Sequence, residues 1–420
     1  MFNLNFNFIN KLKRKLFPFY KNNNLKYVFK KLQKGHSKET VVARFVGGCV
    51  RKYLLGDSID DIDIATILTS DEIKQRFQDT SFKIIETGIE HGTVTLISDK
   101  YKLELTTLRK DVETDGRHAE VEYIDNWTLD SERRDFTINA IYLDINGKIF
   151  DPQMGTVDLK NNNVKFIGDP QKRIEEDYLR IIRFVRFAIQ YDCQTDNTTI
   201  EALKLNLNGI NKISKERILD ELLKILDLEN FKNILKNENR KLIFSLIFPE
   251  LKYLDRLLRL NKIDEKVIIK NDSLLAVLLI DEKDSHEYFF HKYKVSNDTK
   301  DNLNLLAKNF KILKKDKNFF SKNLEKNIYI NNKEHMKTLN LLDFLSNSKY
   351  NLQNFLNIFN KISDSKVQKF PYSGEYLKNN GMKEGLVLGK VIKILEKEWI
   401  ENNFKISNKR VREVIEQNLH

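Results

Sequence analysis

Apolar positions recur along the chain with two different periods, and the change falls near residue 170. Between residues 84 and 109, β-branched residues alternate with polar ones and turns are expected at Gly88, Gly92 and Ser98-Asp99, a pattern typical of β-strands. After residue 170 the apolar residues follow a helical period, with one face formed by Ile174, Tyr178, Ile181, Val185 and Ala188. Residues 227–420 contain further amphipathic segments. The pattern therefore predicts an α/β region followed by helices.

A glycine pair, Gly47-Gly48, separates a strand-like stretch from a short amphipathic segment. Glycine lets backbone N–H groups approach an anion at the start of a helix, and Arg51 lies one turn further on. The pattern predicts a site for phosphate groups, although a glycine pair after a strand is also common in ordinary turns.

Two carboxylates follow in the next predicted strand, IDDIDIA. Because side chains alternate across a strand, Asp61 and Asp63 share one face. Close carboxylates repel each other unless a cation lies between them, and oxygen ligands of this kind suit Mg²⁺. Glu104, in the later strand YKLELTT, is either a third carboxylate of this site or an ordinary exposed strand residue. A phosphate site beside a metal site indicates nucleotidyl transfer.

Length and composition limit the class of protein. At 420 residues the chain exceeds one ordinary core, so about two to four domains are expected. Its 31% charged and 41% hydrophobic residues are typical of a soluble globular protein, and no apolar run is long enough to span a membrane. The net charge of +12 suits a polyanionic partner, or reflects a generally Lys- and Asn-rich composition.

Two cysteines are too few for a disulfide framework, which favours a reducing compartment. The first acidic residue is Glu39, so residues 1–38 form a basic N-terminal extension. Its composition is poor in Ser and Arg and fits a transit peptide poorly. We therefore predict a cytoplasmic protein.

The segment LDSERRDFTINA combines two cations and an anion with an apolar run. Asp130 or Ser131 is expected to cap a helix whose first turns carry Arg134 and Asp135. An arginine there can hold a phosphate through two hydrogen bonds, while the carboxylate can accept a ribose hydroxyl. The segment predicts a sugar-phosphate contact.

A carboxylate and a guanidinium three positions apart, Asp177 and Arg180, offer a means of selecting a base. Cytosine and adenine each present an amino donor beside a ring-nitrogen acceptor, so this pair of side chains satisfies both. Uracil and guanine reverse the pattern and leave buried polar groups unpaired, at about 1–3 kcal/mol each. The alternative interpretation is an intrahelical ion pair worth about 0.2–0.5 kcal/mol.

The spacing of these groups resembles that of the class II tRNA nucleotidyltransferases and bacterial poly(A) polymerases. Their signature GGxVRxxLLGxxxxDxD is present from Gly47 to Asp63, and the later motifs are matched by RRDFTINA, DPQMGTVDL, EDxxR and ISKERILDELLKIL. The resemblance is dense from about residue 44 to 226. It departs at Lys52, where the family has an aspartate. If that aspartate orders Arg51, triphosphate binding is weakened unless Asp57 or Asp60 compensates.

The resemblance implies an α+β polymerase-β-like nucleotidyltransferase head, a mixed sheet with helices, followed by an all-α neck, body and tail. The corresponding ranges are a basic extension over 1–38, the catalytic head over 39–165, the base-selecting neck over 166–230, the body over 231–365 and the tRNA-binding tail over 366–420. It implies that Asp61 and Asp63 hold Mg²⁺, with Glu104 as a further catalytic carboxylate. It assigns nucleotide contacts to Gly47, Gly48, Arg51, Arg134, Asp135, Asp177, Arg180 and Arg183.

Two further regions acquire a role from the resemblance. Residues 110–120, KDVETDGRHAE, are polar and are expected to form a mobile loop. This segment resembles the family's flexible loop, which is linked to the switch from CTP to ATP and corresponds here to Asp111, Asp115, Gly116 and Arg117. The glycine-rich stretch before Lys390 and Lys393 resembles the family's tail element, where lysines can hold phosphates of a tRNA acceptor arm. Ordinary helix-turn packing is the alternative.

The implied activity is template-independent addition of C, C and A to the 3′ end of tRNA. CTP and ATP are the implied substrates, Mg²⁺ is the implied cofactor and pyrophosphate is released. A poly(A) polymerase and an enzyme that adds only CC or only A are alternatives within the superfamily. A catalytically dead RNA-binding protein is the alternative from another class. The pattern does not indicate an oligomeric state.

Overall fold

The computed structural model describes residues 18–88, 92–99, 101–115, 118–193, 195–263, 271–316 and 318–418. For residues 87–88, 111–115, 118–120 and 271–272 only the backbone is described. The chain divides into two compact units between Pro249 and Glu250.

A mixed sheet lies at the centre of the first unit. Its strands are β1 (Ala43–Val46), β2 (Ile62–Thr66), β3 (Lys83–Gly88), β4 (Thr93–Ile97), β5 (Lys102–Thr107), β8 (Tyr142–Leu143) and β9 (Ile149–Phe150). They are arranged in the order β3-β4-β5-β2-β1-β8-β9, in which β2 and β5 run parallel and the other neighbours antiparallel. The apolar residues of β2 and β5 are buried on one face of the sheet, so their alternating polar residues face the other side.

Helices cover and extend this sheet. They are α1 (Asn23–Gln33), α2 (Gly48–Leu55), α3 (Ser70–Phe77), α4 (Trp127–Glu132), α5 (Gly155–Lys160), α6 (Pro170–Glu176), α7 (Leu179–Gln190), α8 (Asn197–Leu205), α9 (Lys215–Leu226) and α10 (Glu238–Ile247). Short 3₁₀ turns span Phe19–Lys21, Thr137–Asn139, Leu207–Lys212 and Glu229–Lys236. Helix α9 begins after Ser214, as the sequence predicts.

Helix α1 belongs to the head, because its apolar face is buried on the sheet. Leu25, Val28 and Leu32 are fully buried, and the Phe29 ring lies 4.6 Å from that of Phe45 on β1. The expected separate extension over 1–38 therefore does not match the packing of its described part. The prediction of a separate extension relied on the lysines of this segment and overlooked the apolar residues between them.

The second unit is helical throughout its described residues, in agreement with the predicted fold class. Its helices are α11 (Leu257–Leu260), α12 (Asn271–Leu279), α13 (His286–Lys292), α14 (Asn297–Lys315), α15 (Leu324–Asn331), α16 (Lys333–Ser346), α17 (Leu352–Asp364), α18 (Gly374–Asn379), α19 (Leu386–Glu401) and α20 (Asn408–Glu416), with a 3₁₀ turn over Leu254–Arg256. In the described ranges no helix is long and apolar enough to cross a membrane.

The prediction of a loop over residues 110–120 is wrong for its described part. Strands β6 (Arg109–Asp115) and β7 (His118–Tyr123) form an antiparallel hairpin apart from the main sheet, with Asp111 opposite Val121 and Asp115 opposite His118. Backbone pairing stabilises a polar ribbon that carries no apolar pattern of its own, so the sequence did not reveal it. Gly116 and Arg117 lie outside the described residues.

Two predicted helix boundaries are also wrong. Helix α4 begins at Trp127, capped by the Asn126 side chain, so Asp130 lies inside the helix and the RRD segment follows its end. The helix expected after Pro170 is interrupted at Asp177, whose extended backbone (φ −153°, ψ 105°) separates α6 from α7. Asp177 and Arg180 therefore do not lie on one continuous helical face.

Candidate active site

The glycine turn places a helix start against a carboxylate. Gly47 has φ +70° and precedes α2, and a Cβ added to it would lie 3.4 Å from Oδ2 of Asp63. A larger residue would be strained by the positive φ and would place its Cβ in contact with the carboxylate. A Cβ on Gly48 would meet nothing within 4 Å. The turn thus keeps backbone N–H groups open to the cleft beside Asp63.

Three side chains that are distant in sequence hold Arg51 in position. Its Nε donates to the Tyr191 hydroxyl at 2.6 Å, and its Nη1 donates to Oδ1 of Asn139. The guanidinium also lies 4.8 Å from the centre of the Phe187 ring. Because Arg51 is buried in these contacts and lines the cleft, its positive charge is fixed in place for an anion.

Three carboxylates meet where β2 and β5 pair. Asp63 on β2 is directly opposite Glu104 on β5 in the parallel register. Asp61 lies immediately before β2 and is exposed. Burial raises the pKa of Asp63 to about 6, the negative charges of Glu104 and Asp61 add to this rise, and Arg134 and Arg51 oppose it. Such mutual repulsion is relieved by a bound cation, and the oxygen-only donors fit a hard divalent ion.

The three carboxylates are not equivalent. Asp63 lines the cleft, whereas Glu104 forms an ion pair with Lys102 at 2.8 Å. No group of three or more residues arranged to hold a metal occurs among the described residues. Water and substrate phosphates would therefore supply most ligands of an ion bound here, as is usual for Mg²⁺.

The RRD turn is fixed by ion pairs on one side and by hydrogen bonds to its backbone on the other. Asp130 accepts hydrogen bonds from Arg133 and Arg134, and Arg173 on α6 donates to the carbonyl oxygens of the same two arginines at 2.6 and 2.7 Å. Although Asp130 is buried, Arg134 and Arg133 lower its pKa to about 2. The turn is thereby tied to α6.

Asp135 is already paired in this structure. Its Oδ1 accepts from Asn139, and its Oδ2 accepts from Nε and Nη2 of Arg183 at 2.8 and 2.6 Å. Burial opposes ionisation, but Arg183 and the Asn139 hydrogen bond hold the pKa of Asp135 at about 2. A ribose hydroxyl would donate an additional hydrogen bond to Asp135, because carboxylate oxygens can each accept more than one.

The predicted base-selecting pair lies at the break between α6 and α7. Oδ2 of Asp177 accepts from Arg217 on α9 at 2.8 Å, and its Oδ1 accepts from the N–H of Leu179 at 3.1 Å. Arg180 donates to Glu176 and to the carbonyl of Arg173. The alternative of an ion pair between Asp177 and Arg180 is therefore wrong, since each has another partner.

These residues line one cleft of about 390 Å³ in the first unit. Seven arginines and three aspartates contribute to it, which gives a formal charge of +4. The lining comprises Gly47, Gly48, Arg51, Asp63, Arg133, Arg134, Asp135, Asn139, Asp177, Leu179, Arg180, Arg183, Arg186, Phe187 and Arg217. Such a surplus of guanidinium groups suits a polyanion such as a triphosphate.

Of the predicted nucleotide contacts, all eight line this cleft, while Asp61 and Glu104 lie beside Asp63. Lys390 and Lys393 are exposed on α19 in the second unit. Lys52 forms an ion pair with Asp60 at 2.8 Å, so its ammonium group is bound outside the cleft.

Sequence reasoning did not assign six of the lining residues to the site: Arg133, Asn139, Leu179, Arg186, Phe187 and Arg217. For Arg186 there was a usable signal, because Arg180, Arg183 and Arg186 follow one another at every third position. Leu179 and Phe187 lie on α7 with Arg183, but their apolar side chains gave no functional signal. Asn139 and Arg217 reach the cleft from separate elements, and local spacing carries no sign of that.

Comparison with known proteins agrees with this arrangement. Residues 43–165 match the poly A polymerase head domain, and residues 194–254 match the probable RNA and SrmB-binding site of polymerase A. The mitochondrial CCA tRNA nucleotidyltransferase 1 of Mus musculus is 34% identical over 390 residues, which cover 90% of this chain and 87% of that protein. The CCA-adding enzyme of Lactobacillus helveticus is 42% identical over 185 residues, covering 44% and 45%.

The fold has a solved counterpart. The crystal structure of the Bacillus stearothermophilus CCA-adding enzyme in complex with CTP matches with a TM-score of 0.69 and 22% identity, covering 93% of this chain and 96% of that one. Since the similarity to the mouse protein extends along nine-tenths of the sequence, the chain belongs to the family of CCA-adding tRNA nucleotidyltransferases.

Proposed function

We propose that this protein adds C, C and A to the 3′ end of tRNA, without a nucleic-acid template, from CTP and ATP. The observation that carries the proposal is the shared cleft, in which Asp177 and Arg180 lie with the glycine turn and Asp63. A base, a triphosphate and a metal-binding carboxylate can thus meet in one place. The curated relatives named as CCA-adding enzymes support the same activity.

Each part of the cleft has a distinct role in this proposal. The N–H groups after Gly47 and the fixed guanidinium of Arg51 bind the triphosphate. Arg134 contacts phosphate, and Asp135 with Arg183 orients the ribose. Asp177 and Arg180 form hydrogen bonds with cytosine or adenine and leave uracil and guanine unpaired. The 3′-hydroxyl of the tRNA then attacks the α-phosphate, and pyrophosphate departs.

Nucleotidyltransferases of this family generally use a divalent metal ion, and we propose Mg²⁺ held by Asp61 and Asp63. When bound, it would activate the attacking hydroxyl and neutralise the leaving pyrophosphate. Glu104 acts beside Asp63 in this scheme. The hydrogen bond that Lys102 donates to it (2.8 Å) keeps Glu104 oriented, while the charge of Glu104 adds to the negative potential around Asp63 and raises the pKa of that group.

The direct test uses a tRNA that lacks its 3′ CCA, with labelled CTP and ATP supplied separately and together. We expect two C additions with CTP alone, and a complete terminus only when both nucleotides are present. Product lengths on a sequencing gel distinguish this result from CC-only or A-only addition. Incorporation of neither nucleotide would refute the proposal.

A poly(A) polymerase is the second candidate, because residues 43–165 match the poly A polymerase head domain. An RNA that already ends in CC, supplied with ATP alone, separates the two activities. A CCA-adding enzyme attaches one A to it, whereas a poly(A) polymerase produces a long tail.

The remaining assignments are proposals of the same kind. The neck would extend over 166–230, the body over 231–365 and the tail over 366–420, with Lys390 and Lys393 contacting tRNA phosphates. The hairpin around Asp111 and Asp115 would change position when ATP replaces CTP. A reducing cytoplasm suits the two buried free cysteines. Cell fractionation would test the compartment, since the similar mouse protein is named mitochondrial.

A further inference from the structure

A single buried carboxylate lies behind the two arginines of the RRD turn. Asp130 is fully buried on α4. Its Oδ1 accepts hydrogen bonds from Nε and Nη2 of Arg133 at 2.8 and 2.7 Å. Its Oδ2 accepts from Nε and Nη2 of Arg134 at 3.3 and 3.1 Å, and from the Tyr142 hydroxyl at 2.7 Å. One carboxylate thus organises two guanidinium groups.

The geometry determines which edge of each arginine remains for a ligand. A guanidinium that uses Nε and Nη2 on a carboxylate has its Nη1 on the opposite side. Both Arg133 and Arg134 line the cleft. Asp130 therefore holds the inner edges of the two side chains. Their outer edges remain on the opposite side, where Nη1 of Arg134 also donates a long hydrogen bond to the carbonyl of Asn139 at 3.5 Å, beside the cleft.

The charges of this cluster have a second consequence. Two cations share one anion, so the cluster retains one positive charge beside the cleft. Without the carboxylate, two partly buried guanidinium groups would repel each other at close range. Tyr142 helps to hold the carboxylate and one arginine in position, because its hydroxyl donates to Asp130 and accepts from Nε of Arg134 at 3.1 Å.

We propose that Asp130 is a positioning residue for the nucleotide: it directs Arg133 and Arg134 toward the same phosphate group. The proposal rests on the function proposed above, since the ligand is taken to be a nucleoside triphosphate. Asp130 does not touch that ligand. It acts through the two arginines, and its effect should therefore appear in triphosphate binding and not in tRNA binding.

The test is the Asp130→Asn variant of the full chain. Asparagine keeps the shape of the side chain, but it removes the charge and points an amide donor at one arginine fork. We expect the KM for CTP to rise about 10- to 100-fold, as for loss of charge-assisted hydrogen bonds. The Kd for inorganic tripolyphosphate, measured by calorimetry without tRNA, should rise by a similar factor, while the KM for tRNA stays unchanged.

Two further variants make the outcome interpretable. Glu132→Gln on the same helix changes an exposed carboxylate and should leave every constant at its wild-type value. Tyr142→Phe removes only the hydroxyl that braces Asp130 and Arg134. It should raise the KM for CTP by about 3- to 10-fold. If Asp130→Asn fails to fold, Tyr142→Phe decides the question.

A purely structural role would lower the melting temperature and the active fraction and leave the KM for CTP and the tripolyphosphate Kd unchanged. That result in a folded Asp130→Asn or Tyr142→Phe protein would overturn the inference. The wild-type control keeps the two claims separate. If the wild type adds no nucleotide, the proposed function fails; if it does and the variants bind CTP normally, only the role of Asp130 fails.

Discussion

The carboxylates around the cleft differ in how they are neutralised. Burial and the charge of Glu104 raise the pKa of Asp63 to about 6, whereas Arg183 keeps that of Asp135 at about 2 despite its burial. Environments that shift the pKa values of two similar groups in opposite directions give the groups different roles. Among the described residues Asp63 forms no ion pair at contact distance, although Arg134 and Arg51 act on it from further away, and it is suited to a metal ion. Asp135, paired with Arg183, is an ionised anchor.

Conversion of Asp61 or Asp63 to Asn is expected to reduce nucleotide addition by about 1,000-fold or more, because each variant loses a carboxylate that holds the metal ion in the proposed function. The Kd for tRNA, measured by filter binding, should change little. The matched control is Asp60→Asn, which removes an exposed carboxylate paired with Lys52. An Asp63→Asn enzyme with normal activity would overturn the metal assignment.

Substitution of Asp177 by Ala is expected to relax base selection. The variant should accept UTP or GTP with discrimination reduced about 10- to 100-fold, since the unpaired polar groups that exclude these bases are lost. Competition between labelled CTP and UTP measures the effect. Glu175→Gln, two positions earlier and exposed, is the control and should keep the wild-type preference. Unchanged selectivity of the Asp177 variant would contradict the assignment.

At the scale of elements, the important feature is the break between α6 and α7. It turns Asp177 toward Arg217 on α9, while Tyr178 packs against the 3₁₀ turn at Gly209. A Cβ on Gly209 would lie 2.0 Å from the Tyr178 ring. The break is therefore stabilised by close packing from a segment that begins almost 30 residues later.

The Gly209→Ala variant tests this packing. The added methyl group must displace the Tyr178 ring, which should destabilise the protein by about 1–3 kcal/mol and reduce discrimination between CTP and UTP. Thermal unfolding and the competition assay give the two readouts. Gly389→Ala is the contrasting control: its Cβ would meet nothing within 4 Å inside α19, so we expect a gain of about 0.5–1 kcal/mol. Equal stabilities of the two variants would exclude the packing account.

At the scale of the whole molecule, the second unit has a buried polar network of its own. His335 on α16 is 5% exposed, and its Nε2 accepts a hydrogen bond from Asn309, which also donates to Asn331. Burial lowers the pKa of His335 to about 4. The folded unit therefore holds a neutral imidazole, and protonation would break the network.

This network predicts a loss of stability in mild acid. An unfolded histidine gains its proton near pH ~6.5, so the contribution of His335 is complete above that value and is lost as the pH falls toward about 4. Between pH ~7.5 and ~4.5, the wild type should lose about 2 kcal/mol more than His335→Gln in urea unfolding. The control His291→Gln alters an exposed histidine and should follow the wild type. Parallel pH curves for His335→Gln and the wild type would contradict the prediction.

Local pattern accounts for the parts of the fold that could be predicted. The order of sheet and helices follows from side-chain periods, and the turn at Gly47 follows from a residue type that tolerates a positive φ. The boundary at Trp127 and the interruption at Asp177 could not be predicted in this way. The boundary at Trp127 depends on the adjacent Asn126 cap, which competed with Asp130 and Ser131 as a start signal. The interruption at Asp177 depends on contacts with distant segments, which override the local helical preference.

The sequence by itself determined which residues are chemically able to act: two carboxylates in a strand, a glycine turn, and arginines at regular spacing. The tertiary structure alone decided their partners. Arg183 reaches Asp135 across 48 positions, and Arg217 reaches Asp177 across 40. A charge pattern gives the sign of a side chain but not its distant partner, because that partner is set when α7 and α9 pack against each other.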